Sequence, residues 1–533
     1  MSSKVTRLTL SAAVIVCLLF SAGCGRRRRS VVQPEPLNIS NDTTIGSLAE
    51  VFAPGAVAVE GYGVVGSLRG SGSSECPPEI RDYLRQYILK QSPEIRVGSF
   101  LNSNDTAVVT VEGVMPAGAY KGQIFDIRAR ALTGTQTTSL REGWLYKSEL
   151  QLVGRFEATL LGRSEGPIYI DTLGESVSDE TEGYVLGGGK VLEEFDITIS
   201  LLKPDFRLAG LIRDRLNARF GGGTATAVSD GQIIVDVPAE YRRDKLKFAA
   251  LLRSIYIVQS RDVVQEHIIE LIGQLAGSPN KELSEIALEA IGRLSLVKLE
   301  PLLRSNDEEV KFLAARCMLN LGSDKGLEAL REVARNQDSV YRIEALEAVV
   351  RSEWRQEGAS LARLLLREDD IDVKLAAYKN LVALDDIAII SESVGRKFYM
   401  DQITQSDNRL IYVSRSGEPR IALFGAPLYC RRNIFIESEN GEITINAAAG
   451  QEEVTIILKI SGRRNVPPIR LNTSYDVSDI IRALAEEPVS NIRGIRPGLN
   501  ISYGEVISLV KQLCEKGVIT AKFRAGPLPE IGL

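Results

Sequence analysis

The spacing of apolar and polar positions changes character three times along the chain. From residue 48 to 260, short alternating runs are punctuated by glycine. DTAVVTVEGVMPAG (105–118) and QIFDIRARAL (123–132) alternate with period two around a Pro-Ala-Gly turn, which predicts paired strands. Two stretches switch to helical spacing. PPEIRDYLRQYILKQ (77–91) places Ile80, Leu84, Tyr87 and Ile88 on one face behind a proline start signal. The other comes after KPDF, where Asp205 is positioned to cap a helix carrying Phe206, Leu208, Leu211, Ile212 and Leu216; it stops at Phe220, ahead of Gly221, Gly222 and Gly223. QIIVDVP (232–238) then returns to strand spacing. Residues 48–260 read as an α+β domain.

From 261 to about 390 the spacing is helical and repeats itself. ELSEIALEAI (282–291), EVKFLAARCM (309–318), VYRIEALEAV (340–349) and DVKLAAYKNL (372–381) align on Ala287, Ala314, Ala345 and Ala377, which lie 27, 31 and 32 residues apart. A small residue once per helical pair lets neighbouring helices pack closely, as a solenoid requires. The segments resemble short HEAT-like repeats, whose extended surface implies protein binding. Residues 398–465 return to short strands bounded by Gly, Asn and Asp, as in a small sheet or barrel. Residues 470–533 hold two closing helices, DVSDIIRALAEE (476–487) and YGEVISLVKQLCEKG (503–517), and a glycine-bearing tail. The fold class is a multidomain α+β protein with an inserted all-α solenoid and a small C-terminal β domain.

The N-terminus adds an address. Lys4 and Arg7 precede an apolar run from Leu8 to Phe20, and Ser21, Ala22 and Gly23 lead to Cys24. That is the layout of an export signal, too short for a membrane span. Its ending resembles a bacterial lipobox, which would make residues 1–24 a signal and Cys24 the diacylated first residue of the mature chain. A plain cleaved signal and an uncleaved anchor are the other readings. Arg26 to Arg29 oppose translocation by the positive-inside tendency, yet on an exported chain they would strengthen a lipid anchor at an anionic surface. Residues 25–47 read as a flexible tether.

Composition narrows the chemistry. The 533 residues are 44% hydrophobic and 25% charged, ordinary for a globular protein of several domains. A net charge of −5 offers no basic footprint for nucleic acid. The single histidine, His267, would have to serve any imidazole chemistry alone, and on QEHIIELIGQL it reads as a surface or packing residue. Cys76, Cys317, Cys430 and Cys514 show no C-x-x-C spacing and hence no zinc signature. A Cys430–Cys514 bridge and buried free thiols are both open readings. The pairs Asp369/Asp370 and Asp385/Asp386 fall at repeat turns and read as solvated caps.

One motif suggests a cofactor. Gly61, Gly63 and Gly66 spell G-x-G-x-x-G, the spacing that cradles a dinucleotide pyrophosphate when a helix starts at once. Here SLRGSGSSECPPE intervenes before any helix, and no acidic strand end appears about 20 residues on. The glycines read instead as tight turns after a short strand, with positive φ and close backbone approach. No cofactor, metal ligand set or catalytic constellation emerges, and a hydrolase is disfavoured for want of a nucleophile, base and orienting group.

Several blocks together resemble the flagellar basal-body P-ring protein family. They are VEGYGVVGSLRGSGSS (59–74), AVVTVEGVMPAGAYKGQIFDIRARAL (107–132), SLREGWLYKSELQL (139–152), LLKPDFRLAGLIRDRLNARFGGGTATAVSDGQIIVDVP (201–238) and ISYGEVISLVKQLCEKGVITAKF (501–523). The resemblance covers about 48–260 and the tail. It implies a non-enzymatic periplasmic subunit that self-associates into a ring around the flagellar rod, with the L-ring and peptidoglycan as neighbours. The lipidation cysteine, the inserted solenoid and the loosely related β segment depart from the family. A lipid anchor, more readily in the outer than the inner membrane, would tether such a ring. The rival reading is an envelope lipoprotein that holds a partner through its solenoid and has no part in motility.

Overall fold

The alternating runs become the wall of a closed barrel. The computed structural model describes residues 39–91, 97–154, 159–174, 179–459, 467–491, 494–496 and 498–531. The expected export signal, Cys24 and the expected tether as far as residue 38 lie outside the described residues. Asn41–Leu533 form one compact unit.

After an edge strand β1 (Ala49–Phe52) come β2 (Val57–Gly66), β3 (Ala107–Met115), β4 (Ile124–Ala131), β5 (Trp144–Leu152), β6 (Gly162–Pro167) and β7 (Glu182–Val191). These six close in the order β2-β3-β4-β7-β6-β5, every neighbour antiparallel. Val59, Val65, Val111, Ile127, Leu150 and Val185 fill the interior. Helix α1 (Pro78–Gln91) packs Leu84 outside the wall against Val64 of β2 and Val108 of β3.

The glycine motif lies inside β2 and forms no turn. Gly61 and Gly63 share the inward face of Val59 and Val65, because side chains alternate along a strand. A Cβ on Gly61 would stand 2.1 Å from the Glu149 carbonyl oxygen, and one on Gly63 would stand 2.4 Å from Ser148 Oγ. A Cβ on Gly66 would meet the Tyr146 ring at 2.7 Å. The expected close approach is present, and the expected positive φ is not. That conformation falls just beyond the strand, at Ser67, Arg69 and Gly70. The β2–β5 register shifts between Glu60 and Val65, where the glycines sit.

A second, smaller layer comes next. Strand β8 (Ile197–Leu201), helix α2 (Phe206–Phe220), β9 (Ala225–Ala227), β10 (Gln232–Val235) and helix α3 (Lys245–Ser254) build an antiparallel sheet of order β1-β8-β10-β9 with its helices. Asp205 caps α2 as its position suggested, accepting from the Arg207 amide at 2.7 Å. The buried face of α2 is Leu208, Ala209, Ile212 and Leu216. Phe206, in the first turn, is 74% exposed and Leu211 is 37% exposed, so neither belongs to the stripe.

Helices α4 (Arg261–Gly277), α5 (Lys281–Ile291), α6 (Glu308–Asn320), α7 (Leu327–Arg335), α8 (Arg342–Arg351), α9 (Arg355–Leu365) and α10 (Ile371–Ala383) continue the chain, with a short helical segment at Leu296–Leu299. The four anchor alanines lie on α5, α6, α8 and α10, and all are buried. Helix α6 touches α5 and α8, and α8 touches α10, so these four form one stacked row. Ion pairs stitch successive turns, among them Arg316–Glu285 (Nε–Oε1 2.8 Å), Arg342–Glu368 (2.9 Å) and Arg363–Asp386 (2.7 Å). Arg219 of α2 donates to the Glu289 and Ala290 carbonyls at the end of α5, and Lys247 of α3 pairs with Glu289 at 3.0 Å. These contacts seat the row on the first domain.

Among the described residues, the C-terminal strands form two sheets and a separate hairpin, with no barrel. Strands β11 (Ile390–Val394), β12 (Phe398–Ile403), β13 (Leu410–Val413) and β14 (Arg420–Phe424) belong to the first. Strands β15 (Ile434–Glu437), β16 (Ile443–Ala447), β17 (Val454–Leu458) and β18 (Ile469–Thr473) make an antiparallel meander. Helix α11 (Val477–Ala485), a hairpin of β19 (Val489–Asn491) and β20 (Gly494–Arg496), and helix α12 (Tyr503–Glu515) come after it. The tail then supplies β21 (Lys522–Ala525), which pairs in parallel with β13 and completes the first sheet in the order β11-β12-β14-β13-β21.

Two glycines separate the seam from ordinary helix propensity. Gly63→Ala should destabilise the protein by about 1–3 kcal/mol through overpacking. Gly210→Ala, on α2 with nothing within 4 Å of its added Cβ, should stabilise it by about 0.5–1 kcal/mol. Denaturant melts of the two variants check the opposite signs.

Candidate functional site

The residues singled out from sequence are not gathered in one place. His267 is buried, stacks on Tyr256 with ring centroids 4.0 Å apart, and lies 3.1 Å from the Asn41 carbonyl through Nε2. Of the two sequence readings, it is the packing residue, holding the start of the compact unit. Asp370 caps α10 through the amides of Asp372 and Val373. Asp386 departs from the solvated-cap reading, because its side chain is nearly buried and pairs with Arg363 while accepting the Ala388 amide. Cys430 and Cys514 are both thiols. Burial pushes each up to about 12, and both belong to the hydrophobic cluster of the C-terminal module. Among the described residues, no cluster of three or more His, Cys, Asp or Glu residues is placed to hold a metal ion. No described helix is long and apolar enough to cross a membrane.

The fold does gather a joint between the barrel and the C-terminal module, made from polar residues that the sequence reading passed over. In QIFDIRAR, Asp126 lies where the β4–β7 register shifts. Its carboxylate accepts the Gly187 amide at 2.7 Å and the Gly417 amide at 2.9 Å. Gly187 belongs to β7 and Gly417 to the turn between β13 and β14. The two backbones approach so closely that a Cβ on Gly187 would stand 3.2 Å from the Gly417 carbonyl carbon. Both glycines have positive φ, at 61° and 66°, which an L side chain rarely adopts. Burial raises the Asp126 pKa and the two amide bonds oppose that rise.

Beyond β6 the chain supplies a second grip. The Tyr169 hydroxyl donates to Asp171 at 2.6 Å, Arg415 pairs with Asp171 at 3.2 Å, and Arg415 Nε reaches the Gly526 carbonyl at 2.7 Å. The closing helix α12 meets the same segment. Lys511 donates to the Leu173 carbonyl at 3.2 Å, and a Cβ on Gly504 would stand 3.1 Å from the Ile170 carbonyl oxygen. Tyr503, at the first position of α12, packs between the Tyr169 and Phe398 rings. Its hydroxyl is shared by the Ser414 and Arg420 carbonyls at 2.7 and 2.9 Å.

A third hub ties in the helical row. Asp401 of β12 is fully buried and receives Tyr378 of α10, Ser391 of β11 and Arg420 of β14, the last at 2.9 Å. Arg420 also lies 4.6 Å over the Tyr399 ring. The neighbouring carboxylates hold the guanidinium above its ordinary pKa against the cost of burial. A buried carboxylate is tolerated when its lone pairs are filled, and here three side chains fill them. The signal available in sequence was a lone acid inside an apolar strand, FYMDQI.

Together these joints define a protein whose specialised groups fasten one module to another. The model of the flagellar P-ring protein family matches residues 45–270, which take in the barrel, the small sheet and most of α4. The chain is 25% identical over 268 residues to the flagellar P-ring protein of Hydrogenovibrio crunogenus, covering 47% of this chain and 70% of that one. It is 29% identical over 216 residues to that of Wigglesworthia glossinidia brevipalpis, covering 37% and 57%. To that of Pseudomonas entomophila it is 25% identical over 268 residues, covering 45% and 69%. The N-terminal resemblance read from the sequence is therefore borne out.

Asp126→Ala leaves two amides at the joint without their acceptor and should cost about 1–3 kcal/mol. Hydrogen exchange checks it. Protection should fall at 414–419 and at Gly187 while the barrel strand β3 stays protected; unchanged exchange at 414–419 contradicts the joint.

Proposed function

We propose that this chain is a structural, non-catalytic subunit of a P-ring-like assembly around the flagellar rod, in the periplasm. The observation that carries the proposal is the family match across the whole barrel and small sheet, 45–270. A closed ring needs two different faces of each subunit to fit one another, so self-association comes with the reading. Rod and L-ring proteins are its neighbours, with peptidoglycan around it. Cys24 carries the lipid that tethers the subunit, preferentially to the outer membrane. In this oxidising compartment the thiols of Cys430 and Cys514, which share one hydrophobic cluster, form a disulfide.

The row of helices from 261 to 383 is a HEAT-like solenoid, inserted between the P-ring-like domain and the C-terminal module to present an added surface. The buried alanine on each of α5, α6, α8 and α10 supports this. Because residues beyond 270 fall outside the family match, a second reading has its own support: an envelope lipoprotein that holds a partner through the solenoid without a motility role.

Deleting the gene separates the two. The ring reading expects loss of swimming that the intact chain restores; normal swimming in the deletion strain removes it. In the complemented strain, Cys24→Ser should abolish lipid labelling and shift the protein out of the membrane fraction, and unchanged fractionation contradicts the anchor.

A further inference from the structure

Arg316, Arg342, Arg363 and Arg420 each face an acid in this fold. The exposed residues Arg409, Arg431 and Lys522 line a shallow, open hollow of about 530 Å³, with Asp407 the one acid in its lining. Main-chain bonds fix all three. The Lys522 amide donates to the Arg409 carbonyl at 3.1 Å, and the Arg431 amide donates to the Val518 carbonyl at 2.8 Å, beside the Cys430–Ile519 bridge. Three separate chain segments thus line one hollow. None of the three makes an ion pair among the described residues.

Asp407 in the same lining offsets part of the repulsion among the three cations, and an anion seated among them would offset the rest.

We propose that this concavity is a binding site for a discrete, multiply charged anion that presents carboxylate or phosphate groups to Arg409, Arg431 and Lys522. Guanidinium forks match both groups in bidentate fashion. A hollow of this volume is in the range of small-ligand sites, about 300–1,000 Å³. The site lies outside residues 45–270 and does not rest on the flagellar reading.

The test titrates the full-length protein with sodium tripolyphosphate and with citrate by calorimetry at an ionic strength of about 0.15 M, and separately with phosphatidylglycerol vesicles. Saturable binding of a soluble anion is expected. Arg409→Glu with Arg431→Glu should weaken it at least tenfold, about 1.4 kcal/mol, whereas Lys298→Glu on the helical row leaves it unchanged. The milder Arg409→Gln/Arg431→Gln pair, with an unshifted melting temperature, keeps folding apart from binding. No saturable binding of either anion, equal binding by the Gln pair, or binding to vesicles alone overturns the proposal.

Discussion

The barrel closes because two strands can approach to a distance that no side chain would permit. At the β2–β5 seam, Gly61 and Gly63 face inward where a Cβ would stand 2.1 Å from a carbonyl oxygen and 2.4 Å from Ser148 Oγ. The register shift between Glu60 and Val65 falls at the same place. A sheet that could not close there would leave two edges exposed, which closed barrels avoid. Closure in turn fixes the opposite wall, where Asp126 sits at the β4–β7 irregularity and reaches Gly187 and Gly417. The seam therefore governs both the barrel and the attachment of the C-terminal module.

That attachment explains how a long helical row can stand between two parts that pack together. The row leaves the first domain through Arg219 and Lys247 on α5. It ends against the C-terminal sheet through Tyr378 and Asp401. Helix α12 then brings the chain's last segment back to the segment beyond β6, and strand β21 adds it to the edge of the first C-terminal sheet. Three carboxylate or hydroxyl hubs, the half-buried Asp126 and the buried Asp401 and Tyr503, each bind groups from separate segments. Leaving any of their partners unpaired in the interior would be costly, so the hubs favour one arrangement of modules over looser ones.

Local spacing made the helices legible. The run at 77–91 became a helix at Pro78–Gln91, Asp205 capped α2, and the four recurring alanines marked the buried side of a stacked row. Long-range features were not legible. Nothing in GYGVVG distinguishes a glycine turn from a strand that needs bare Cα atoms on one face, because the partner is Ser148 and Glu149, far along the chain. Strand β21 is too short and polar to announce itself, and its pairing with β13 comes from the fold. Asp401 and Asp126 looked like isolated acids in apolar strands. Their roles required knowing which amides, hydroxyls and guanidinium would surround them.

The proposed structural role in the basal body rests on the family match across residues 45–270. If this chain forms the wall of a ring around the rod, the ring must depend on its gene. Electron microscopy of purified basal bodies, from the parent strain and from a strain lacking this gene, tests that dependence most directly. A periplasmic ring should surround the rod in the parent and be missing in the deletion. An intact ring in basal bodies of the deletion strain would contradict the assignment.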